Sequence, residues 1–348
     1  MNKVYIVIIN YNKFEHTIEC LESVLKSSYL NIQVFVIDNS SDNLSLTNLS
    51  NWIINNDYRD IKTKFNDLVL PPEQKPLNHC ILKENEFIES KNVFKEKIII
   101  VKVKNRGFAA ANNIALRYIL TNATSSSLIW VLNNDTIVEK NTLSNLVQFY
   151  HENKSEKYIL GSKLRYYDKP ATIQAVAGKY NKWLGKHYHV GEGEQDNGQY
   201  DTYQPGKMDY IVGASIFIPK LFLEQAGMMC EDYFLYFEEL DWIKTGSQHG
   251  FTISLVPNAV VYHKEGSSIV ENNGKKRDTR RSEYYSITNR VRFIKKWYPS
   301  CLLTVMPGVI WAIMKRVALG KFSLVKKTTV AIIKILFSNN PGQLKYEN

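Results

Sequence analysis

The sequence contains few cysteines, and no two of them lie close together. Cys20, Cys80, Cys230 and Cys301 are scattered over 348 residues without a CxxC pair. This spacing indicates neither a disulfide framework nor a zinc knuckle. We therefore expect the chain to work in a reducing, cytoplasmic environment.

Long uninterrupted apolar segments are also missing. The N-terminal run MNKVYIVIINYN reaches asparagine after a short apolar stretch, so it is too short for the core of a signal peptide and predicts a first β-strand instead. Near the C terminus, basic residues interrupt every apolar block before it reaches the roughly 20 residues of a spanning helix. Pro307 and Gly308 break the best of these blocks. We expect no membrane-spanning helix.

Acidic residues are scarce in the C-terminal region. From Lys275 onward there are 16 Lys and Arg against three acidic residues, whereas residues 1–274 have 28 against 31. Residues 299–348 alternate basic residues with apolar blocks, which predicts amphipathic helices on an anionic membrane surface. The alternative is a basic helical cap that packs on the preceding domain or on the second subunit of a homodimer. No motif resembles a DNA or RNA reader, so we expect no nucleic-acid partner.

Strand patterns and amphipathic helix patterns alternate along the first 150 residues. Four short runs rich in β-branched residues are separated by helical patterns, which predicts βαβ units and an α/β fold with a mostly parallel sheet. A long polar segment, residues 43–97, interrupts the alternation, and we interpret it as an insertion at the edge of the sheet. The predicted strands are KVYIVIIN, IQVFVIDNSSDN, KIIIVKVK and SLIWVLNNDT.

Each predicted strand ends in polar residues. Ligands of open parallel sheets bind at the carboxyl ends of the strands, so these endings should meet in one polar crevice. The first turn, NYNKFEHT, has no glycine, which argues against a dinucleotide-binding oxidoreductase with a GxGxxG turn. The endings are Asn10–Tyr11–Asn12, Asp38–Asn39–Ser40, Asn105–Arg106–Gly107 and Asn133–Asn134–Asp135.

Carboxylates near these strand ends are candidate ligand groups. Asp38 can hydrogen-bond a base or ribose, and Asp135 can hold Mg²⁺ or Mn²⁺, which prefer carboxylate and phosphate oxygens. For Asp135 the structural alternative is a turn or helix-capping residue. Downstream, DYFLYFEELDW places Glu238, Glu239 and Asp241 at the start of a predicted helix. Carboxylates there serve in catalysis or offset the helix dipole.

Seven segments occur in the order found in one enzyme family. Residues 3 to 298 resemble family 2 glycosyltransferases of the GT-A fold, most closely the rhamnosyltransferase-like branch of surface-polysaccharide assembly. The resemblance implies a central sheet flanked by helices. It also implies inverting transfer of rhamnose or another hexose from a dTDP- or UDP-linked donor to a hydroxyl of a lipid-linked O-antigen or capsule acceptor. The segments are VIINYN, VIDNSSDN, NRGFAAANN, WVLNNDT, DYIVGASIFIP, DYFLYFEELDW and VVYHKEGSS.

The resemblance also implies roles for individual residues. Asp135 and His263 are implied as metal ligands, although NND offers one carboxylate where other members have two or three. Glu239 is implied as the catalytic base. Glu238 is the alternative if the helix starts one residue early, and Asp241, turned about 200° away along a helix, is expected to orient the acceptor or fix the helix end. The implied donor-binding residues are Asn10, Tyr11, Asn12, Asp38, Asn39, Asn105, Gly107, Phe108, Asn112 and Asn134.

We predict a division of the chain into two parts. Residues 1–298 form the GT-A domain, in which residues 1–140 bind the nucleotide sugar and residues 141–274 bind the acceptor and carry the catalytic groups. Residues 299–348 form the basic tail, which we expect to hold the enzyme peripherally on the cytoplasmic face of the cell membrane. Two alternatives stay open here: an inactive nucleotide-sugar-binding protein, and a membrane-surface scaffold of the same fold.

Overall fold

A central sheet of ten strands runs through the protein. The computed structural model describes residues 2–56, 61–90, 92–153, 156–264, 279–339, 342 and 344–346. In the N-terminal half, every residue of β1 and β2 is buried, as expected for parallel strands covered on both faces. The elements are β1 (Val4–Asn10), α1 (Phe14–Leu25), β2 (Ile32–Asp38), α2 (Leu44–Ile54), α3 (Asn66–Val69), β3 (His79–Lys83), α4 (Glu84–Glu89), β4 (Ile98–Lys102), α5 (Phe108–Asn122), β5 (Leu128–Asn133), β6 (Thr136–Val138) and α6 (Thr142–Glu152).

The C-terminal half completes the sheet and adds a cluster of helices. It also forms a separate three-stranded sheet in the order β10-β9-β11. The elements are β7 (Tyr158–Tyr166), β8 (Ile173–Ala175), β9 (Ala177–Asn181), β10 (Lys186–Val190), β11 (Asp209–Tyr210), β12 (Ser215–Pro219), α7 (Lys220–Ala226), α8 (Glu238–Gln248), β13 (Thr252–His263), α9 (Arg280–Trp297), α10 (Leu302–Ala318) and α11 (Phe322–Phe337).

The strand order places a topological switch point at β1. The order is β3-β4-β2-β1-β5-β12-β7-β13-β6, with β8 paired to β7. The first five strands are parallel, and β12 is antiparallel to both of its neighbours. This arrangement confirms the predicted α/β fold with a large, mostly parallel sheet. Because the chain passes from β1 to β2 on one side and reaches β5 on the other, a crevice opens at the carboxyl end of β1.

Side chains of β1 alternate between two hydrophobic cores, one on each face of the sheet. Val7 and Ile9 belong to the core that includes residues of α5. Ile6 and Ile8 belong to the core that includes residues of α1. The period of two in a strand therefore accounts for the almost entirely apolar sequence of β1, since both of its faces are covered.

Residues 43–97 lie at one edge of the sheet and contain more regular structure than their polar sequence indicates. They include the edge strand β3, which pairs in parallel with β4, and the helices α2, α3 and α4. A buried ion pair between Lys75 Nζ and Glu22 Oε1, at 2.7 Å, ties the segment to α1. Trp52 Nε1 donates to the same carboxylate at 2.8 Å. We did not predict β3, because HCILK is short and only half-buried, which gives a weak strand pattern.

The C-terminal helices differ from the sequence expectation at Pro307. This residue lies inside α10 and does not end it. A proline removes one backbone hydrogen bond, and the carbonyl that loses its donor belongs to Leu303, which is exposed to solvent. Pro299–Ala318 thus form a 20-residue helical stretch that could cross a membrane by length and composition alone. The expectation that Pro307 and Gly308 break this apolar block was wrong.

Candidate functional site

The polar ends of four parallel strands meet at one edge of the sheet. In the strand register, Asn10 of β1 pairs with Asp38 of β2, and Asp38 pairs with Lys102 of β4. On the other side of β1, Ile9 pairs with Asn133 of β5. The predicted crevice residues at these four ends are therefore brought together.

Asp38 lies at the centre of a buried hydrogen-bond network. Its Oδ1 accepts from Asn10 Nδ2 at 2.8 Å and from the Ser40 hydroxyl at 2.6 Å. Its Oδ2 accepts from Lys102 Nζ at 2.9 Å. The Asp38 side chain has no exposed surface. This geometry favours a role in shaping the turn that follows β2, and the direct contact with a nucleoside stays a prediction.

The network continues to the end of β5. Thr17 of α1 donates its hydroxyl to Asn10 Oδ1 at 2.7 Å, and it accepts from Asn134 Nδ2 at 2.9 Å. Lys102 also donates to the carbonyl oxygens of Ser40 and Asp42, at 2.9 Å and 2.6 Å. The turns after β1, β2 and β5 are thus fixed to one another before any ligand binds, which lowers the entropic cost of binding.

The rim of the crevice is formed by the turns themselves. Asn12 has a positive φ of 55°, a conformation that asparagine tolerates better than most residues, and its Oδ1 accepts from the backbone amide of Ser41 at 3.1 Å. Tyr11 is partly exposed beside it. Asn39 Nδ2 donates to Asn105 Oδ1 at 3.3 Å. The Asn39 Oδ1 atom is buried and has no hydrogen-bond partner within the described residues, so it is available to a donor group of a ligand.

The predicted donor loop at Asn105–Phe108 packs directly on the loop that precedes α8. Gly107 has a φ of 103°, and a Cβ atom at this position would lie 2.6 Å from the carbonyl oxygen of Phe234. The amide of Phe108 donates to that same oxygen at 2.9 Å. Only glycine fits this contact and this backbone conformation. Asn112 is buried one turn further along α5, where its Nδ2 donates to the Phe108 carbonyl at 3.1 Å.

Asp135 and His263 face each other at the far side of the crevice. His263 Nε2 lies 3.2 Å from Asp135 Oδ1, and both side chains are mostly buried. The amide of Lys264 donates to the Asp135 carbonyl at 2.9 Å, which joins the end of β13 to the turn after β5. The sequence prediction placed these two residues in one site, and the structure brings them together.

The chemistry of this pair fits a divalent cation. His263 Nδ1 lies 2.9 Å from Gln174 Oε1, and an Nδ1–H that donates to this oxygen leaves the Nε2 lone pair facing Asp135. Two electron-pair donors at 3.2 Å repel each other unless a proton or a cation lies between them. No group of three or more His, Cys, Asp and Glu side chains in the described part of the chain is placed to hold a metal. Water and diphosphate oxygens would therefore complete the coordination, as Mg²⁺ and Mn²⁺ sites commonly allow.

The acidic residues of α8 differ in their surroundings. Asp241 is tied to α9, because it accepts from Lys296 Nζ at 2.7 Å and from Trp297 Nε1 at 2.6 Å. Its role in the structure is to hold these two helices together. Glu238 is buried, its Oε2 has no hydrogen-bond partner in the described structure, and Glu239 is partly exposed. Burial, and then the charge of Glu239, raise the pKa of Glu238 well above its usual range.

Glu239 lies beside the turn that precedes β12. Burial raises its pKa, which makes the carboxylate a stronger proton acceptor. A Cβ atom on Gly213 would lie 3.2 Å from Glu239 Cγ. The next residue, Ala214, accepts from the amide of Asn133 through its carbonyl at 3.0 Å. Asn133 is two residues before Asp135, so Glu239 and the Asp135–His263 pair both lie near the carboxyl end of β5.

The loop before α8 has an unusual backbone. Phe234, Tyr236 and Phe237 all have positive φ values, of 64°, 68° and 76°. Such conformations persist only where the surroundings hold them, and they concentrate at functional sites. Asn289 of α9 holds this loop, because its Nδ2 lies within 3.1 Å of the carbonyl oxygens of Tyr233, Leu235 and Tyr236.

Sequence reasoning missed Lys102, Gln174 and Asn289. None of them belongs to a recognisable motif, and each acts through a partner at least 50 positions away in the chain. A cavity of about 620 Å³ is lined by residues 64–68 and 139–141. None of the predicted site residues lines that cavity.

One protein-family model matches the N-terminal segment of the chain, which contains part of the crevice. Residues 5–67 match the model of the family described as Glycosyl transferase family 2. This segment contains β1, β2 and the turns after both strands. No curated protein matches the chain.

The structure of GalNAc-T7 shares the fold at low sequence identity, and two other solved structures are less similar. The structure of GalNAc-T7 with UDP, GalNAc and Mn²⁺ has a TM-score of 0.56 and 13% identity over 86% of this chain and 49% of that chain. This chain therefore spans about half the length of GalNAc-T7. A mannosyltransferase from Pyrobaculum calidifontis, PcManGT, with GDP-Man and Mn²⁺, has a TM-score of 0.49 and 13% identity over 97% of this chain and 88% of that one. S. aureus TarS 1–349 has a TM-score of 0.44 and 12% identity over 97% and 72%. The matched segment and the shared fold confirm the resemblance to family 2 glycosyltransferases with the GT-A fold, and neither of them distinguishes a rhamnosyltransferase-like branch.

Proposed function

We propose that this protein is an inverting, metal-dependent glycosyltransferase. It transfers a hexose, for example rhamnose, from a dTDP- or UDP-linked donor to a hydroxyl of a growing, lipid-linked surface polysaccharide. The observation that carries the proposal is the position of Glu239 and of the Asp135–His263 pair at the same carboxyl end of β5. The GT-A relative crystallised with UDP, GalNAc and Mn²⁺ supports a nucleotide sugar and a divalent cation as ligands.

The chemistry follows from these positions. The acceptor oxygen attacks the anomeric carbon from the side opposite the diphosphate, and Glu239 takes the proton of the acceptor hydroxyl. The bond between the anomeric carbon and the diphosphate oxygen breaks, and its electron pair leaves with the nucleoside diphosphate. Asp135 and His263 would hold the cation, which neutralises charge on the leaving diphosphate when bound. The turns at Asn10–Asn12 and Asn39 and the loop at Asn105–Phe108 would hold the donor.

Nucleotide-sugar turnover tests the proposal. Purified protein is incubated with a panel of nucleotide sugars, with Mn²⁺ or Mg²⁺, and the released nucleoside diphosphate is measured. We expect release from at least one dTDP- or UDP-linked sugar, and we expect none from Glu239→Gln under the same conditions. Donor binding by calorimetry without release from any donor would instead favour the inactive nucleotide-sugar-binding protein.

A further inference from the structure

Exposed apolar side chains are concentrated on the two C-terminal helices. Large hydrophobic residues elsewhere in the described chain are exposed singly or in small groups, whereas α10 and α11 carry about half of them. On α10, Leu303 is 86% exposed and Trp311 is 68% exposed, and only Val305 and Val309 of this helix are buried. The exposed residues of α11 that continue the face are Phe322, Val330, Ile333 and Phe337.

The spacing of these residues makes a continuous stripe on each helix. Leu303, Ile310, Met314 and Val317 of α10 recur at intervals of seven, four and three residues, which places them on one side of a helix. Phe322, Val330, Ile333 and Phe337 of α11 recur at eight, three and four residues. Contiguous apolar surface of this extent on a soluble protein marks an interaction site.

The turn between β9 and β10 carries two further exposed apolar residues. Trp183 and Leu184 at this turn are both more than half exposed. The next residue, Gly185, has a φ of 61°, and a Cβ atom on it would lie 2.9 Å from Val305 Cγ1 of α10. Val305 is buried and lies about 200° around the helix from Leu303, so the turn packs against the buried side of α10 and does not continue the stripe.

The charge around this surface identifies its occupant. Residues 299–348 contain seven Lys and Arg and one acidic residue, and Lys315, Lys326 and Lys334 are exposed beside the apolar stripes. Apolar and aromatic side chains bordered by lysines are the features that bind the interface of an anionic bilayer. We propose that α10 and α11 form one membrane-docking face for a bilayer that contains anionic lipids.

The helices lie on the membrane in this proposal and do not cross it. Val305 and Val309 of α10 are buried in the core, and Arg316 Nε contacts Glu283 Oε2 of α9 at 2.9 Å. On α11, Lys295 Nζ of α9 donates to the carbonyl oxygens of Ile335 and Ser338, at 2.7 Å and 2.8 Å. Spanning would require all of these contacts to break.

Flotation with lipid vesicles tests the docking face. The full chain is mixed with phosphatidylcholine vesicles that contain or lack phosphatidylglycerol, and the floating fraction is measured. We expect flotation with the anionic vesicles only. The triple variant Ile310→Glu/Trp311→Glu/Met314→Glu should lose it, whereas Leu30→Glu/Ile88→Glu, which changes two exposed apolar residues outside the face, should float like the wild type. Lys315→Gln/Lys326→Gln/Lys334→Gln should weaken binding about fivefold for each lysine.

Several results would overturn the inference. Absence of flotation of the wild type would do so, as would normal flotation of the triple variant with an unchanged unfolding temperature. A dimer that dissociates in the triple variant, with no vesicle binding, would assign the face to a second copy of this chain. Resistance to alkaline carbonate extraction would show a spanning helix. Because these measurements do not use nucleotide sugars, their failure is distinct from a failure of the glycosyltransferase proposal.

Discussion

Asp135 is the residue on which the metal proposal depends, because it supplies the single carboxylate of the NND turn. Asp135→Ala should reduce turnover to background, since the leaving diphosphate would lose the cation that neutralises it. Excess EDTA should also reduce the turnover of the wild type to background, and added Mn²⁺ should restore that turnover. Asp67→Ala, at an exposed aspartate of α3, serves as the control and should keep full activity. The release of nucleoside diphosphate is measured for both variants and for the wild type with EDTA, before and after Mn²⁺ is added. Full turnover of Asp135→Ala would contradict the assignment of Asp135 as a metal ligand.

Glu239 and Glu238 are adjacent, yet their surroundings give them different protonation. Burial raises the pKa of both, and the charge of Glu239 raises that of Glu238 further, so Glu239 ionises first and can accept the acceptor's proton. Glu239→Gln should lower kcat at least about a hundredfold while donor binding, measured by calorimetry, is kept. Glu238→Gln should change kcat little, because glutamine resembles a protonated glutamate. The opposite pattern would move the base to Glu238.

The same pKa shift predicts how stability depends on pH. A carboxyl group with a raised pKa in the folded state stays protonated there while the unfolded chain ionises, so it contributes stability at low pH that is lost as pH rises through the folded-state value. The Glu238→Gln variant has no ionisable group at this position, so it does not lose this stability as pH rises. The unfolding temperature of Glu238→Gln should therefore exceed that of the wild type by an amount that grows as pH rises above about 4.3, the ordinary glutamate value. A difference that stays constant between pH 4 and pH 9 would show that Glu238 is not protonated by burial.

Among the elements of the fold, the turn after β2 depends on β4. Lys102 of β4 pairs with the fully buried Asp38 and also binds two carbonyl oxygens of that turn. Lys102→Met would leave the Asp38 charge buried without its partner, which we expect to cost about 3 kcal/mol of unfolding free energy. Lys102→Met/Asp38→Asn should recover part of that loss, and chemical denaturation measures both. If Asp38 instead binds the nucleoside directly, Asp38→Asn alone would raise the donor KM and leave stability unchanged.

The elements that could be predicted from the sequence are those with long, local patterns. The strands ending at Asn10, Asp38, Lys102 and Asn133 are continuous apolar runs, and their polar endings predicted the crevice. The pairing of Asp135 with His263 came from the resemblance and not from the pattern. The clamp of Asn289 on the loop before α8, and the inward orientation of Asp38, depend on contacts between distant segments. No local pattern encodes such contacts.

For the whole molecule, the C-terminal tail contributes to the fold as well as to the proposed membrane face. Val305, Val309, Leu324, Ile332 and Ile335 are buried against the rest of the chain. At about 1.5–3 kcal/mol for each buried side chain, their removal would cost on the order of 10 kcal/mol, which is comparable with the total stability of a typical domain. Truncation after Pro299 should therefore yield a protein that unfolds at a much lower temperature or aggregates. The exposed triple variant of α10 should unfold at the wild-type temperature, which differential scanning calorimetry can compare directly. A truncated chain with wild-type unfolding would mean that residues 300–348 are only an appendage and that their contacts with α9 contribute little.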